Sequence, residues 1–95
     1  MKSYKVKNSS VHGKGLFATK RIRKGQLIDV VQGVITRENG IYVLWPNDKF
    51  GVLVTNNTRF INSSDQPNVA YTHDLEIVAL KNIQPGAELL AEYDV

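Results

Sequence analysis

The hydrophobic residues of this chain fall into short runs that are separated by glycine, proline and polar residues. Several runs are rich in valine and isoleucine, and they predict strands at 3–7, 15–18, 27–31, 33–36, 41–45, 50–54 and 75–80. No segment shows the sustained period of roughly 3.6 residues that marks a long amphipathic helix. The pattern therefore predicts a mainly β domain made of small curved sheets, rather than a parallel sheet covered by helices.

The segment YVLWPNDKFGVLV, residues 42–54, has the pattern of a β-hairpin. Two apolar runs flank residues 46–49, where proline, asparagine and aspartate favour a turn. A single helical turn is predicted around 57–62, whereas 86–91 is compatible with either a strand or a helix. The chain contains no repeat or linker, so we expect a single domain over residues 1–95.

Composition narrows the class of protein. A chain of 95 residues with 42% hydrophobic and 22% charged residues matches a small globular domain. Its apolar runs are shorter than the roughly 18 residues of a spanning helix. The first residues lack the apolar core of a signal peptide, so we expect a cytoplasmic protein without membrane contact, with a nuclear location still open. Because there is no cysteine, disulfides and thiolate metal sites are excluded, and we expect no metal.

The net charge of +3 is compatible with a nucleic-acid partner. The lysines and arginines are spread over strand-like sequence with few aromatic residues between them. Nucleic-acid interfaces usually concentrate their basic residues on one face or along one helix. A solvated basic face is therefore the simpler interpretation.

Residues 12–18 read HGKGLFA and satisfy G-x-G-x-x-A, the degenerate fingerprint of a dinucleotide-binding turn. That motif requires a preceding strand, a helix that begins at the glycines and an acidic residue about 20 positions further on. The following segment has no helix start signal and is soon interrupted by Gly25. A tight turn, or a close approach that glycine permits because it lacks a Cβ, is the simpler interpretation of Gly13 and Gly15.

The chain contains three notable stretches, HGKGLFATKRIRKGQLI, RFINSSDQPN and ALKNIQPGAELLAEY. Taken together they resemble a SET domain, the fold of protein lysine methyltransferases that use S-adenosylmethionine. Residues 12–28, HGKGLFATKRIRKGQLI, resemble the family's G-x-G segment. Residues 59–68, RFINSSDQPN, resemble its R-F-x-N-H-S-x-x-P-N loop, and residues 79–93, ALKNIQPGAELLAEY, its G-E-E-L-x-x-D-Y ending. The order and approximate spacing also match. The resemblance covers about residues 3–94, with 32–52 matched only loosely, and describes a minimal form without regions before or after the SET domain.

The resemblance implies several small β-sheets, with the C-terminal segment threaded under the asparagine-rich loop in a pseudoknot-like arrangement. Such threading is rare among proteins, so this loop must be built to accept it. Buried backbone groups need hydrogen-bond partners. We therefore expect polar side chains of the loop to supply them where the segments cross and to frame the cofactor pocket, namely Asn62, Ser63, Ser64 and Asn68.

By this resemblance, backbone groups of Lys14, Gly15 and Leu16 would contact the methionine part of S-adenosylmethionine, with Gly15 permitting the approach. Asn62 would bond the amino-acid end of this cofactor. Ser63 would meet the adenine through its backbone N–H and C=O. The partner would be a protein substrate that offers a lysine side chain.

Tyr93 is, by the same resemblance, the catalytic residue, and it would also contact the cofactor. Its hydroxyl would orient the target amine and its ring would wall the lysine channel, whereas the alternative is a core aromatic. No general base is needed, because a poorly solvated channel beside a sulfonium disfavours the charged amine. In agreement, we expect His12 and His73 on the surface, and Glu88 and Glu92 to stabilise local structure.

Several departures from the family favour a second interpretation. Ser63 stands where the family has histidine, Glu92 where it has aspartate, and the substrate-binding insert shrinks to QGVITRENG at 32–40. The tyrosine before the R-F-x-N loop is missing, although Tyr42 and Tyr71 could supply channel walls. We expect no C-terminal cap, so a second protomer or the substrate would complete the channel. The alternative function is a non-catalytic SET-fold module that binds a partner protein, and a third is a small β domain that binds nucleic acid.

Overall fold

The computed structural model describes residues 2–92, which form ten short strands and one 3₁₀ helix. The strands are β1 (Tyr4–Asn8), β2 (Lys14–Ala18), β3 (Leu27–Val30), β4 (Gly33–Thr36), β5 (Val43–Leu44), β6 (Gly51–Val54), β7 (Asn62–Ser63), β8 (Val69–Tyr71), β9 (Glu76–Ala79) and β10 (Leu90–Ala91). The 3₁₀ helix spans Asn57–Phe60.

The mainly β fold predicted from the sequence is confirmed. The predicted strands correspond to β1 through β6 and β9, with differences only at their ends. The helical turn expected around 57–62 is the 3₁₀ helix, and the ambiguous stretch 86–91 contains strand β10. The sequence pattern missed β7 and β8, because strands of two or three residues are too short to show an alternation.

Two small antiparallel sheets accompany a larger one. Strands β1 and β2 form a hairpin in which Tyr4 is paired with Ala18. Strands β4, β6 and β5 form a three-stranded sheet, called here the insert sheet, with β6 in the middle. The antiparallel pairing of β5 with β6, which places Leu44 opposite Val52, confirms the predicted hairpin over residues 42–54.

The largest sheet has five strands in the order β3, β9, β8, β10, β7. Strand β10 lies between β8 and β7 and runs parallel to both, with Ala91 opposite Val69 and Ser63. The remaining pairs are antiparallel. Parallel neighbours require a long crossover connection, and the path from β8 to β10 supplies it through β9 and residues 80–89. The pseudoknot-like threading of the C-terminal segment goes beyond this strand order and stays a prediction.

The residues just before β10 extend the β1–β2 hairpin. Ala18 N donates to Ala87 O at 2.9 Å, and Leu89 N donates to Leu16 O at 2.8 Å. Residues 86–89 therefore lie along the second edge of β2. Leu16 and Leu89 are both fully buried, and burial of such a side chain contributes about 1.5–3 kcal/mol. The C-terminal segment is thus a structural part of the core.

The rest of the core joins the main sheet to this hairpin. The other large side chains without solvent contact are Ile22, Val69 and Ile77. Ile22 and Ile83 exchange two backbone hydrogen bonds of 2.8 and 2.9 Å, which fasten the turn before β3 to the chain that follows β9. Within residues 2–92, no helix has the length and apolar character needed to cross a membrane.

Candidate functional site

A wide, open groove lies at the surface of the described part of the chain. It encloses about 1820 Å³, more than the roughly 300–1,000 Å³ of a typical small-molecule site. Its walls come from residues 11–14, the 3₁₀ helix with β7, the β8–β9 turn and the hairpin of the insert sheet. The groove is large enough to hold a small-molecule ligand and a peptide segment together.

Asn68 fixes the C-terminal segment beside this groove. Its Nδ2 donates to Glu88 O at 2.8 Å, and its Oδ1 accepts from Leu90 N at 2.8 Å. Its own backbone N donates to Leu90 O at 2.9 Å. One asparagine therefore satisfies three backbone groups of residues 88–90, where the irregular chain would otherwise leave them unpaired. As predicted for the polar side chains of this loop, Asn68 bonds backbone groups of the C-terminal segment, and the threading of that segment stays a prediction.

Asn62, at the start of β7, is held by three acceptors. Its Nδ2 lies 3.1 Å from His12 O, 3.1 Å from Lys14 O and 2.8 Å from Glu88 Oε2. A side-chain amide has two N–H donors, so these acceptors use its whole donor capacity. Asn62 lines the groove. None of the hydrogen bonds found among residues 2–92 uses its acceptor Oδ1.

The carboxylate of Glu88 organises the residues behind Asn62. Ser9 Oγ donates to this carboxylate, at 2.8 Å from Oε1 and 2.9 Å from Oε2. A Cβ on Gly15 would overlap the same carboxylate and lie 3.2 Å from Asn62 Nδ2. The missing side chain at Gly15 thus makes room for Glu88. This confirms that Glu88 stabilises local structure, although residues 88–92 are not helical and do not form a helical pair.

The two glycines of the G-x-G segment have different physical roles. Gly13 has a φ of +47° and nothing near the position of a Cβ, so it serves a turn that other residues adopt at a cost. Gly15 lies in β2 and is needed for the close approach of Glu88. Both structural interpretations made from the sequence are therefore confirmed. A close approach of the cofactor to Gly15 stays a prediction.

The three residues predicted to contact the methionine part of the cofactor lie at different depths in the structure. Lys14 is exposed and lines the groove, whereas Gly15 and Leu16 are buried and do not. Leu16 O already accepts from Leu89 N. The geometry therefore brings Lys14 to the groove together with Asn62, and it places Gly15 and Leu16 behind them.

Ser63 directs its backbone to the free edge of the main sheet. Ser64 N donates to Ala91 O at 2.9 Å, so the polar groups of Ser64 face β10. Successive residues of a strand direct their backbone groups to opposite edges. The N–H and C=O of Ser63 therefore face away from β10, and the residue lines the groove. A flat ligand with a donor and an acceptor edge could pair with them.

The predicted catalytic residue Tyr93 lies outside the described residues. Its neighbour Glu92 is exposed and lines the groove. His12 and His73 are exposed, as the sequence predicted, and both line the groove. Within residues 2–92, no carboxylate or hydroxyl is bonded to either imidazole. In the part of the chain that the structure describes, no arrangement of a nucleophile with a general base occurs in the groove.

Aromatic residues form another part of the groove wall. The rings of Tyr42 and Phe60 meet edge to face, with centroids 6.0 Å apart. The Arg59 guanidinium lies 4.2 Å from the Phe60 centroid and donates to Asn56 O at 3.0 Å, so it braces the 3₁₀ helix. Tyr71 also lines the groove. Both tyrosines considered as channel walls are thus placed at the groove, and their role in a lysine channel stays a prediction.

The clearest pKa shifts among the described residues, those of Tyr4 and Asp29, lie away from the groove. Burial raises the pKa of Tyr4 above its usual range, and its hydrogen bond to Asp29 and the negative charge of that carboxylate raise it further. Burial alone would raise the pKa of Asp29. Hydrogen bonds from Lys2, Tyr4 and Val30 N, together with the Lys2 charge, outweigh burial and lower it. This cluster ties the N-terminal strand to β3 and has no part in the groove.

Sequence reasoning missed the contributions of Ser9 and Trp45. Ser9 lies outside all three family-like stretches, and its contact with Glu88 spans 79 positions, so no local pattern could reveal it. Trp45 was assigned to the hairpin only. Its place at the groove follows from the turn that brings residues 41–47 beside the 3₁₀ helix, which is a tertiary feature.

Comparisons with known proteins agree with this architecture. A structure of a Plasmodium falciparum protein, provisionally assigned as a histone methyltransferase, superposes with a TM-score of 0.80 at 23% identity. That match covers 99% of this chain and 95% of the other. A chain of ctPRC2, in complex with H3K27me3 and H3K27M, gives a TM-score of 0.82 at 22% identity. Here 99% of this chain is covered and only 15% of the other.

These structural likenesses show the fold. No curated protein sequence matches the chain. The sequence model that describes the SET domain matches residues 13–94, which is most of the chain. The three family-like stretches all lie within this match or begin one residue before it. The chain belongs to the SET domain family.

Proposed function

We propose that the protein transfers a methyl group from S-adenosylmethionine to a lysine side chain of another protein. The observation that carries this proposal is the hydrogen bonding of the Asn62 side chain. Its amide nitrogen is fully used by His12 O, Lys14 O and Glu88, so the acceptor oxygen of this groove-lining residue is the polar side-chain atom left for a ligand. Such an oxygen suits the ammonium group of an amino acid, and the ammonium of S-adenosylmethionine belongs to its methionine part.

The other residues near Asn62 fit the same cofactor. Ser63 turns its backbone N–H and C=O towards the free sheet edge, and adenine offers an acceptor and a donor on one edge. Residues 12–14 form the adjoining wall. Lys14 is the one of the three predicted backbone contacts that lies at the groove itself. The structure thus offers an acceptor for the amino-acid end and a backbone edge for the base on one side of the groove.

The cofactor supplies an activated methyl group on a positively charged sulfur. The chain's own residues then have to align the target amine and keep it uncharged. A free lysine has a pKa of about 10.4. The positive charges of Lys14 and Arg59, which line the groove, disfavour the ammonium form. We assign the walls of the lysine channel to Tyr42, Tyr71 and Tyr93, with the Tyr93 hydroxyl orienting the amine.

A methyl-transfer assay tests the proposed reaction. The purified protein is incubated with S-adenosylmethionine that carries a labelled methyl group and with an array of lysine-containing peptides. We expect label on lysine peptides and none on the same peptides with arginine in place of lysine. We expect Tyr93→Phe to lower the rate and to leave cofactor affinity within about threefold, because a hydroxyl that orients the amine acts mainly on turnover. Unchanged turnover in this variant would remove the role given to its hydroxyl.

Two further parts of the account stay predictions. Completion of the lysine channel by a second protomer is tested by the molecular mass of the active species in sedimentation equilibrium. Protein binding without catalysis would be shown by a folded protein that binds lysine peptides but does not bind the cofactor.

A further inference from the structure

We propose that the groove selects lysines that lie beside a bulky apolar side chain and outside basic tracts. This substrate class rests on the proposed methyl transfer. The selecting element is the groove-facing part of the insert hairpin, which we call the aromatic rim and define as Ile41, Tyr42 and Trp45. Its occupant is a segment of a substrate protein in which phenylalanine, leucine or a similar residue neighbours the lysine.

The Trp45 ring is held in place although it is only half-buried. Its Nε1 donates to Asn39 Oδ1 at 3.1 Å. A Cβ on Gly51 would come within 3.1 and 3.2 Å of two ring atoms, so the ring rests directly on the glycine backbone. The side chain nevertheless keeps 39% of its surface exposed. A fixed, exposed tryptophan loses little conformational freedom on binding, which is the property of residues that dominate interfaces.

The neighbours of Trp45 extend the apolar surface along the groove. Tyr42 is held edge to face against Phe60 and retains 39% exposure. Ile41 is 91% exposed, and Pro46 and Phe50 line the same groove. Soluble domains seldom leave several large apolar side chains together at the surface without a binding role. The rim therefore offers an apolar side chain a place to remove its surface from water.

The charges of the groove disfavour a basic partner. The cationic side chains at its walls are Lys14 and Arg59. Within residues 2–92 neither Lys14 nor Arg59 forms an ion pair, and the salt bridge found there joins Lys2 and Asp29. Glu92 is the single carboxylate among the described residues that line the groove. Additional arginines or lysines on a substrate would meet a net positive charge among these residues, and like charges brought together oppose binding.

The charged residues that neighbour the rim in sequence give a basic tract no net compensation. The charged residues in the loops of the insert sheet, Arg37 with Glu38 and Asp48 with Lys49, cancel in sequence-adjacent pairs. The chain as a whole carries +3. A target lysine that has lost its proton is not subject to this repulsion. The groove thus distinguishes one reacting lysine from a lysine within a cluster.

The test measures peptide binding through the protein's own fluorescence. Trp45 is the one tryptophan of the chain, so intrinsic tryptophan emission reports the rim directly. Three nonapeptides with a central lysine in a glycine–serine background are titrated, with phenylalanine, alanine or arginine on both sides of the lysine. Each titration is made with and without S-adenosylhomocysteine. Calorimetry repeats the measurement for Trp45→Ala, for Ile41→Ser, and for Leu27→Ala as a control.

We expect the phenylalanine peptide to bind about tenfold more tightly than the alanine peptide, which corresponds to about 1.4 kcal/mol. The arginine peptide should bind more weakly than the alanine peptide. Trp45→Ala and Ile41→Ser should remove most of the preference for phenylalanine. Leu27 is an exposed apolar residue that does not line the groove, so Leu27→Ala should retain that preference.

Three outcomes would overturn the proposal. These are tighter binding of the arginine peptide, equal affinity for phenylalanine and alanine peptides, and an unchanged preference in both rim variants that remain folded by circular dichroism. Absence of binding by every peptide would also overturn it. A heat of binding for S-adenosylhomocysteine, measured on the same samples, reports separately on the cofactor site. Failure of the substrate class and failure of the proposed function are therefore distinguishable.

Discussion

Alanine at Gly15 provides the sharpest test of how the site is packed. The added methyl group would occupy space now filled by the Glu88 carboxylate. That carboxylate would have to move and give up its hydrogen bonds from Ser9 and Asn62. Glu88 joins residues 86–89, which precede β10, to Ser9 in the β1–β2 turn and to Asn62 in β7. A single methyl group at Gly15 should therefore weaken the contacts among these three parts of the fold.

The expected magnitude follows from these contacts. Hydrogen bonds to a charged group contribute about 1.5–3 kcal/mol each. A displaced carboxylate recovers part of its hydration because Glu88 is only half-buried. Alanine also lowers the entropy of the unfolded chain, which favours folding by about 0.4–1 kcal/mol. We therefore expect Gly15→Ala to lower the free energy of unfolding by about 2–4 kcal/mol, a large share of the total stability of a small domain.

The assay is urea unfolding followed by far-ultraviolet circular dichroism, arranged as a double-mutant cycle. Wild type, Gly15→Ala, Glu88→Ala and the double variant are compared. Without the Glu88 carboxylate the methyl group has space, so Gly15→Ala should be neutral within about 1 kcal/mol in that background. Gly13→Ala is the control for backbone strain alone and should cost about 1–2 kcal/mol with or without Glu88. An equal effect of Gly15→Ala in both backgrounds would refute this reasoning.

Three further predictions concern stability, each measured by urea unfolding. Asn68→Ala should destabilise by about 2–4 kcal/mol, because Glu88 O and Leu90 N lose their partners, and a loss below about 1 kcal/mol would show that water replaces the asparagine. Asp29 has a lowered pKa in the folded state, so its stabilising effect is present above the unfolded pKa of about 3.9 and is lost as pH falls through the folded value. Asp29→Asn should flatten the loss of stability between about pH 5 and pH 2, and an acid profile identical to wild type would contradict this. Tyr4 has a raised pKa in the folded state, so its contribution is complete below about pH 10 and declines as pH rises further; Tyr4→Phe should remove this alkaline decline, and an unchanged decline would assign it to other groups.

The sequence predicted the strands whose signal is local. Runs such as VLVT in β6 and EIVA in β9 combine β-branched residues with flanking turns, and the hairpin over 42–54 follows from its proline and asparagine. The placement of β10 between β7 and β8 is different in kind. Leu90 and Ala91 form a strand because Asn62, Ser63 and Val69 lie beside them. A strand of two residues is too short to show an alternating pattern in the sequence, so this strand could not be predicted from it.

The candidate site could likewise be predicted only in part from the sequence. The residue types at Asn62, Ser63 and Asn68 could be assigned from their match to a family loop. Which atoms they use could not be assigned, since Asn62 Nδ2 is oriented by His12 O, Lys14 O and Glu88 from distant parts of the chain. The role of Gly15 illustrates the limit. Its sequence neighbours indicate a close approach, whereas the approaching group, Glu88, is 73 positions away and is set by the packing of residues 86–89 against β2.

The measurement that tests the central claim most directly is calorimetric titration of S-adenosylhomocysteine and S-adenosylmethionine into the purified protein. Asn62→Ala removes the acceptor assigned to the ammonium group. Asn8→Ala, at an exposed asparagine that does not line the groove, is the matched control. The account predicts micromolar binding to wild type and Asn8→Ala, and affinity at least about tenfold weaker for Asn62→Ala, which corresponds to about 1.4 kcal/mol. No binding to the folded wild type at millimolar cofactor, or equal affinity in all three proteins, would contradict it.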